Sequence, residues 1–131
     1  MIRRRKLLGD QAGGAAIEFA IAVPVLVVMI YGIFVIGMVL LANAGLNHAL
    51  GEAARLATLY PTPSDTDIQA RITQEKFGLG NGTLATPGIV TDNVNHYKTI
   101  TLTYTQPTNF LFFPGPNVTI TRSKRVYIAY D

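Results

Sequence analysis

The chain has 131 residues, 49% of them hydrophobic, with a formal net charge of +3 and no cysteine. This excludes a disulfide framework, a thiolate metal site and a cysteine nucleophile, and leaves room for one small domain beyond a long apolar run. Arg3, Arg4, Arg5 and Lys6 against Asp10 supply the whole net charge, so the rest is formally neutral and lacks the basic footprint that nucleic acid requires.

The chain opens on that basic cluster, followed by a polar and glycine-rich spacer from Asp10 to Gly14. Glu18 comes next, and from Phe19 to Ala42 no residue is charged. The uncharged run of about 24 residues exceeds the roughly 20 that cross a bilayer core as a helix. Arg3, Arg4, Arg5 and Lys6 are the orientation signal: basic residues beside a membrane segment favour the cytoplasmic side, which leaves the C-terminal part outside. A carboxylate carried to the bilayer centre costs about 2.5–3.5 kcal/mol, so Glu18 is a functional candidate. Pro24 cannot donate to the Ala20 carbonyl and is expected to kink or loosen the first turns. Gly32 and Gly37 offer close approach to another helix, but five positions separate them and they form no GxxxG pair.

Several readings of this N-terminus compete. A secretory signal peptide has small residues available at Ala42-Asn43-Ala44, but the apolar run is too long for one. Arg3-Arg4-Arg5-Lys6-Leu7-Leu8 suggests a twin-arginine signal. A plain signal anchor would keep its leader and use the helix only as a tether. The remaining reading cuts the leader before the apolar run and keeps the helix attached. Gly13 suits a scissile residue there, because it has no side chain to obstruct an extended fit in a protease.

The stretch Gly14-Ala15-Ala16-Ile17-Glu18-Phe19-Ala20, then Pro24, Tyr31-Gly32 and Glu52-Ala53-Ala54-Arg55, resembles the TadE-like minor pilins, or pseudopilins, of tight-adherence (Tad) pili. The resemblance covers roughly Gly13 to Ala57. It implies a processing site for a prepilin peptidase between Gly13 and Gly14, which makes Glu18 the fifth mature residue; cutting after Gly14 makes it the fourth. Glu18 and Phe19 form the assembly motif, with the Glu18 carboxylate facing the new Gly14 amine of a neighbouring subunit. The implied partners are inner-membrane lipid, the peptidase, other pilins and the Tad assembly platform. The implied function is assembly of a Tad (Flp-type) adhesive pilus, from the inner membrane or within the extracellular filament. The alternatives are a permanent membrane assembly factor of the same machine and an uncleaved, signal-anchored periplasmic interaction domain.

Beyond Ala42 the helix is expected to continue. Leu46, Leu50, Ala53, Ala54, Ala57 and Tyr60 recur at three- and four-residue intervals as one apolar stripe. Glu52 and Arg55 can pair on the exposed side, and Pro61 and Pro63 set the end at Tyr60. Ser64 or Asp65 is expected to cap a second helix with its body over 66–77 and Ile68, Ile72 and Phe77 as contacts, stopped by Gly78-Leu79-Gly80-Asn81-Gly82. Ile100, Leu102 and Tyr104 alternate with threonines over 99–105, and Val118, Ile120, Val126, Ile128 and Tyr130 repeat the parity in a last strand, with a third near 89–94. The fold class is α+β: a long membrane-spanning helix continuing into a small domain with a short helix and an antiparallel sheet of about three strands. The domain plan is a leader over 1–13, the long helix over 14–60 (membrane-embedded to about 42) and a periplasmic α+β domain over 61–131. Phe110-Leu111-Phe112-Phe113, bounded by prolines, is either core or a subunit contact.

No enzymatic chemistry is expected. His48 and His96 fall on different elements, and no carboxylate cluster accompanies them as metal ligands. Asp65 and Asp67 read as acids at a helix start. The glycine loop lacks the lysine of a phosphate loop. Asn81-Gly82-Thr83 and Asn117-Val118-Thr119 are short sequons expected by chance, and Arg122, Lys124 and Arg125 read as a solvated strand face. No cofactor and no small-molecule substrate are expected.

Overall fold

The computed structural model of the protein describes residues 12–110 and 113–129. The basic cluster Arg3, Arg4, Arg5 and Lys6, together with Leu111, Phe112 and Tyr130, lies outside the described residues. The elements are helix α1 (Ala12–Ala57), helix α2 (Asp65–Glu75) and strands β1 (Thr83–Leu84), β2 (Gly88–Asp92), β3 (Tyr97–Asn109) and β4 (Pro114–Tyr127). The fold is α+β, with one long helix, one short helix and an antiparallel sheet.

α1 is continuous over 46 residues, about 69 Å at the standard rise. Alanine and leucine, both strong helix formers, recur along it, and Pro24 sits inside it without ending it. The helix closes at Ala57, three residues before the expected Tyr60. Thr58 N–H bonds the Arg55 carbonyl and Leu59 N–H that of Leu56, tightening the last turn, while the Thr58 hydroxyl also donates to Arg55 O. The proline after Tyr60 disfavours helical backbone there. Tyr60 therefore leaves the helical phase and is exposed rather than part of the stripe.

Ser64 is the N-cap of α2, and a capping box forms: its hydroxyl accepts from the Asp67 amide at 3.2 Å, while Asp67 Oδ2 accepts from the Ser64 amide at 3.2 Å. Ile68 and Ile72 are fully buried against α1. The helix ends at Glu75, so Phe77 lies beyond it, half-exposed, with its ring 5.6 Å from His48. A loop packed on a helix needs room, and Gly45 provides it: a Cβ there would lie 1.9 Å from the Phe77 carbonyl oxygen. Gly78 holds φ +67, with the Leu41 carbonyl oxygen 2.9 Å from where its Cβ would be.

β3 is the centre of the sheet. β1 and β2 pair along one edge and β4 along the other, all antiparallel. The sheet has four strands where about three were expected, the fourth being the two-residue β1. Lys98, Ile100, Leu102, Tyr104, Gln106 and Thr108 alternate inward along β3, as the pattern over 99–105 predicts. Outward, Thr101, Thr103 and Thr105 meet Ser123, Thr121 and Thr119 across the ladder at hydroxyl distances of 3.3–3.4 Å. The inward face packs on the second half of α1, where Ala42, Leu46, Ala49, Leu50, Ala53, Ala54 and Ala57 are buried. Alanines dominate that stripe, which lets the helix lie close to the sheet.

Candidate functional site

The first turns of α1 carry the residues singled out in the sequence. Gly13 and Gly14 are exposed in the first described turn of α1, where a Cβ would meet nothing within 4 Å. Glu18 is exposed one turn beyond Gly14, on the same face of the helix. It opens a shallow groove continued by Ile21, Ala22, Val25, Leu26 and Met29. A single carboxylate thus stands at the end of an apolar seam at helical spacing. Phe19, 71% exposed, points to a neighbouring sector. Pro24 removes one amide from the ladder two turns further on, where the backbone is uncovered by other parts of the chain.

α1 is one helix long and apolar enough to cross a membrane, and its apolar window is 6% buried. The bare portion is shorter than the uncharged run. The tip of the β3–β4 hairpin reaches down the helix, and Thr108, Phe110, Pro116 and Val118 enclose a groove of about 340 Å³ with Gly32, Val35, Ile36, Val39 and Leu40. On the other side, Asn81, Gln106, Pro107 and Asn109 approach Tyr31, Phe34, Val35 and Met38. Phe110 and Phe113 stack with centroids 5.1 Å apart and exchange backbone hydrogen bonds at 2.9 and 3.3 Å. Phe113 is 54% exposed and Phe110 half-buried, so this loop is not simple core.

The polar groups of the domain are spent on joining its parts. Glu52 receives Arg55 at 3.2 Å, the pair read from the sequence, and also Arg71 of α2 at 3.4 Å. Partial burial pushes the Glu52 carboxyl up, but Arg55 and Arg71 outweigh it and hold it below its ordinary value. Arg71 also pairs Glu75 at 3.1 Å, and Glu75 meets His48 at 3.3 Å. Lys98, buried on the inward face of β3, donates to Asp65. The Tyr104 hydroxyl donates to Gln106, whose amide donates to Asn81 at 3.0 Å, and burial raises the Tyr104 pKa. Asp92 accepts from the Asn95 side chain and amide and from the Val94 amide, which lowers its pKa to about 2.

Asp67 serves the capping box and Asp65 the ion pair, the latter unanticipated because Lys98 lies on a strand position that the alternation assigns to the core. Arg122 donates to Asn43 at 2.9 Å, and the Arg125 guanidinium lies 4.3 Å over the Tyr97 ring, so two of the three bases on β4 have partners within the fold. Among the described residues, no three histidine or carboxylate side chains stand together as a metal site.

An α+β domain carried on one helix whose first half is apolar and bare is consistent with a single-pass membrane anchor. The family model for TadE-like proteins matches residues 13–55, which is the bare half of α1 and nearly all of its packed half. That segment is similar to TadE-like proteins. No curated protein and no solved structure matches the chain.

Proposed function

We propose that the protein is a minor pilin or pseudopilin that serves assembly of a Tad pilus. A prepilin peptidase removes the leader between Gly13 and Gly14, and α1 stays in the inner membrane with the domain outside. The observation that carries this reading is the coincidence of the TadE-like match, beginning at residue 13, with a helix that keeps one carboxylate, Glu18, at the head of a bare apolar seam. Cleavage exposes a positively charged amine at Gly14. In a bundle of such helices, the Glu18 carboxylate pairs with that amine on a neighbouring subunit. Two charges in a low-dielectric core are costly apart and tolerable together, so the pair sets register more than it adds stability. The role is assembly and requires no reacting group. Its partners are inner-membrane lipid, the peptidase, other pilins and the assembly platform.

The test is the mass and N-terminal sequence of the protein from membranes with and without the peptidase. The expected result is a chain starting at Gly14 only when the peptidase is present; an intact leader in both samples overturns the reading. Glu18→Ala is expected to enter the membrane and to fail in assembly, and normal pili from that variant would remove the register role.

A further inference from the structure

Helix length, aromatic placement and polarity together locate the membrane surface on this chain. The uncharged stretch tempts one to place the whole segment up to Ala42 in lipid. From Gly13 to Leu41, however, the helix measures about 43 Å, well beyond a hydrocarbon core of about 30 Å. The surplus coincides with the part of α1 that the hairpin covers. Thr108, Phe110 and Pro116 lie against Gly32, Val35 and Ile36. Asn81, Gln106 and Asn109 bring amide groups to the level of Tyr31 and Met38, where hydrocarbon would leave them poorly solvated. From Gly13 to Tyr31 the helix spans about 28 Å, close to one bilayer core.

Phe110, one of the described residues of the hairpin tip, stands at that same level beside Gly32, Val35 and Ile36. Phe113 is 54% exposed and stacked on Phe110, beside a helix on which Ile33, Phe34 and Ile36 are each more than 60% exposed. Aromatic side chains collect at the membrane–water boundary, and Tyr31, Phe34, Phe110 and Phe113 make such a group. The tip therefore continues the apolar belt of the membrane segment sideways. We infer that the β3–β4 hairpin tip, through Phe110 and Phe113, docks into the outer phospholipid interface of the bilayer that α1 crosses, so that the hydrocarbon ends at Tyr31 rather than at Ala42. The occupant of this surface is lipid, by continuity with the bare helix. The inference rests on α1 crossing a membrane, the reading proposed above.

The chain contains no tryptophan, so single-tryptophan variants of the full protein report position without background. Ile21→Trp, Phe34→Trp, Phe113→Trp and Val94→Trp replace side chains that are all exposed, and Val94 lies at the far end of β3 from the tip. Each variant is reconstituted in phosphatidylcholine–phosphatidylglycerol vesicles with lipid brominated near the headgroup end or near the methyl end of the acyl chain. Ile21→Trp is expected to be quenched best by deep bromine. Phe34→Trp and Phe113→Trp are expected to be quenched best by shallow bromine, several-fold more than Val94→Trp. If Phe113→Trp is unquenched while Ile21→Trp is quenched, the inference falls and the membrane segment stands. Shielding of Phe113→Trp from acrylamide without bromine quenching means a protein neighbour covers the tip, and also overturns it. Deepest quenching at Phe34→Trp places the hydrocarbon higher on the helix and refutes the boundary at Tyr31. No quenching at Ile21→Trp defeats the membrane reading itself.

Discussion

Gly45 and Gly51 are six residues apart on α1, yet alanine is expected to act on them in opposite directions. Alanine in a helix interior is favoured over glycine by about 0.8–1.0 kcal/mol, so both substitutions begin with the same gain. At Gly51 a Cβ meets nothing within 4 Å, and the gain stands. At Gly45 the Cβ would lie 1.9 Å from the Phe77 carbonyl oxygen and 2.8 Å from its carbon, both backbone atoms that no rotamer change can move aside. The loop after α2 must retreat by roughly 1.5 Å to reach ordinary contact, pulling on Phe77 and on Gly78 beside Leu41. Overpacking of this kind costs up to about 3 kcal/mol, leaving a net loss near 2 kcal/mol once the helix gain is set against it. For a domain of this size each kcal/mol corresponds to about 4–8 °C. Gly45→Ala is therefore expected to lower the Tm by about 8–16 °C and Gly51→Ala to raise it by about 4–8 °C. The assay is thermal unfolding of the full chain in detergent, followed by near-ultraviolet circular dichroism of tyrosines such as the buried Tyr104. A rise at both positions would refute the close approach of the loop to α1.

Other expectations concern the domain's polar and apolar joints. Lys98→Met is expected to be nearly neutral in denaturant unfolding, because the buried Lys98 gives way to apolar packing while the half-exposed Asp65 stays solvated. Asp65→Ala alone is expected to destabilise by about 1–3 kcal/mol, with that loss largely gone in the Lys98→Met background. Ile72→Ala, at a fully buried position, is expected to cost about 2–5 kcal/mol, and Phe77→Ala markedly less by the same measurement. Asp92 is held ionised by its turn, so its contribution is complete above the ordinary carboxylate value and disappears as pH falls through about 2. Asp92→Asn is therefore expected to lose less stability than wild type between acid midpoints measured at pH near 4 and near 2.

Periodicity was informative wherever one side of an element is polar. Threonine alternation from Thr99 to Thr105 marks β3 because its outer face is solvated, and Ser64 with Asp67 marks the start of α2 by a local hydrogen-bond exchange that needs no tertiary context. Around residues 31–41 of α1 the same signal vanishes. There the lipid-directed and domain-directed sides are both apolar, and hydropathy does not distinguish a side chain facing lipid from one facing Pro116 or Val118. Ala42 and Ala49 escaped notice as core for a related reason, since alanine carries no mark of the face it occupies. Lys98 was hidden because its partner Asp65 lies 33 residues away and only the fold brings them together. β1 owes its two residues to the edge that β3 offers rather than to any pattern of its own.

The position of the membrane surface also decides what Glu18 experiences. With hydrocarbon ending near Ala42, a core of about 30 Å would begin near residue 22 and leave Glu18 among headgroups. With the boundary at Tyr31, a core of about 30 Å reaches back about 20 residues and places Glu18 about 10 Å inside. A carboxylate at the centre costs about 2.5–3.5 kcal/mol, and at this intermediate depth the cost falls to roughly half. In the assembly proposed above, that penalty would fall on the lone subunit and be relieved by the amine of a neighbour, which would favour the correct register. Glu18→Ala should then shift the two steps in opposite directions, making membrane insertion of the single chain about tenfold more favourable while impairing the filament. Insertion efficiency of the two segments, compared in a translocation reporter, measures the first step without any pilus present. Equal insertion of the two would show that Glu18 already sits in water, and would return the membrane boundary to the end of the uncharged run.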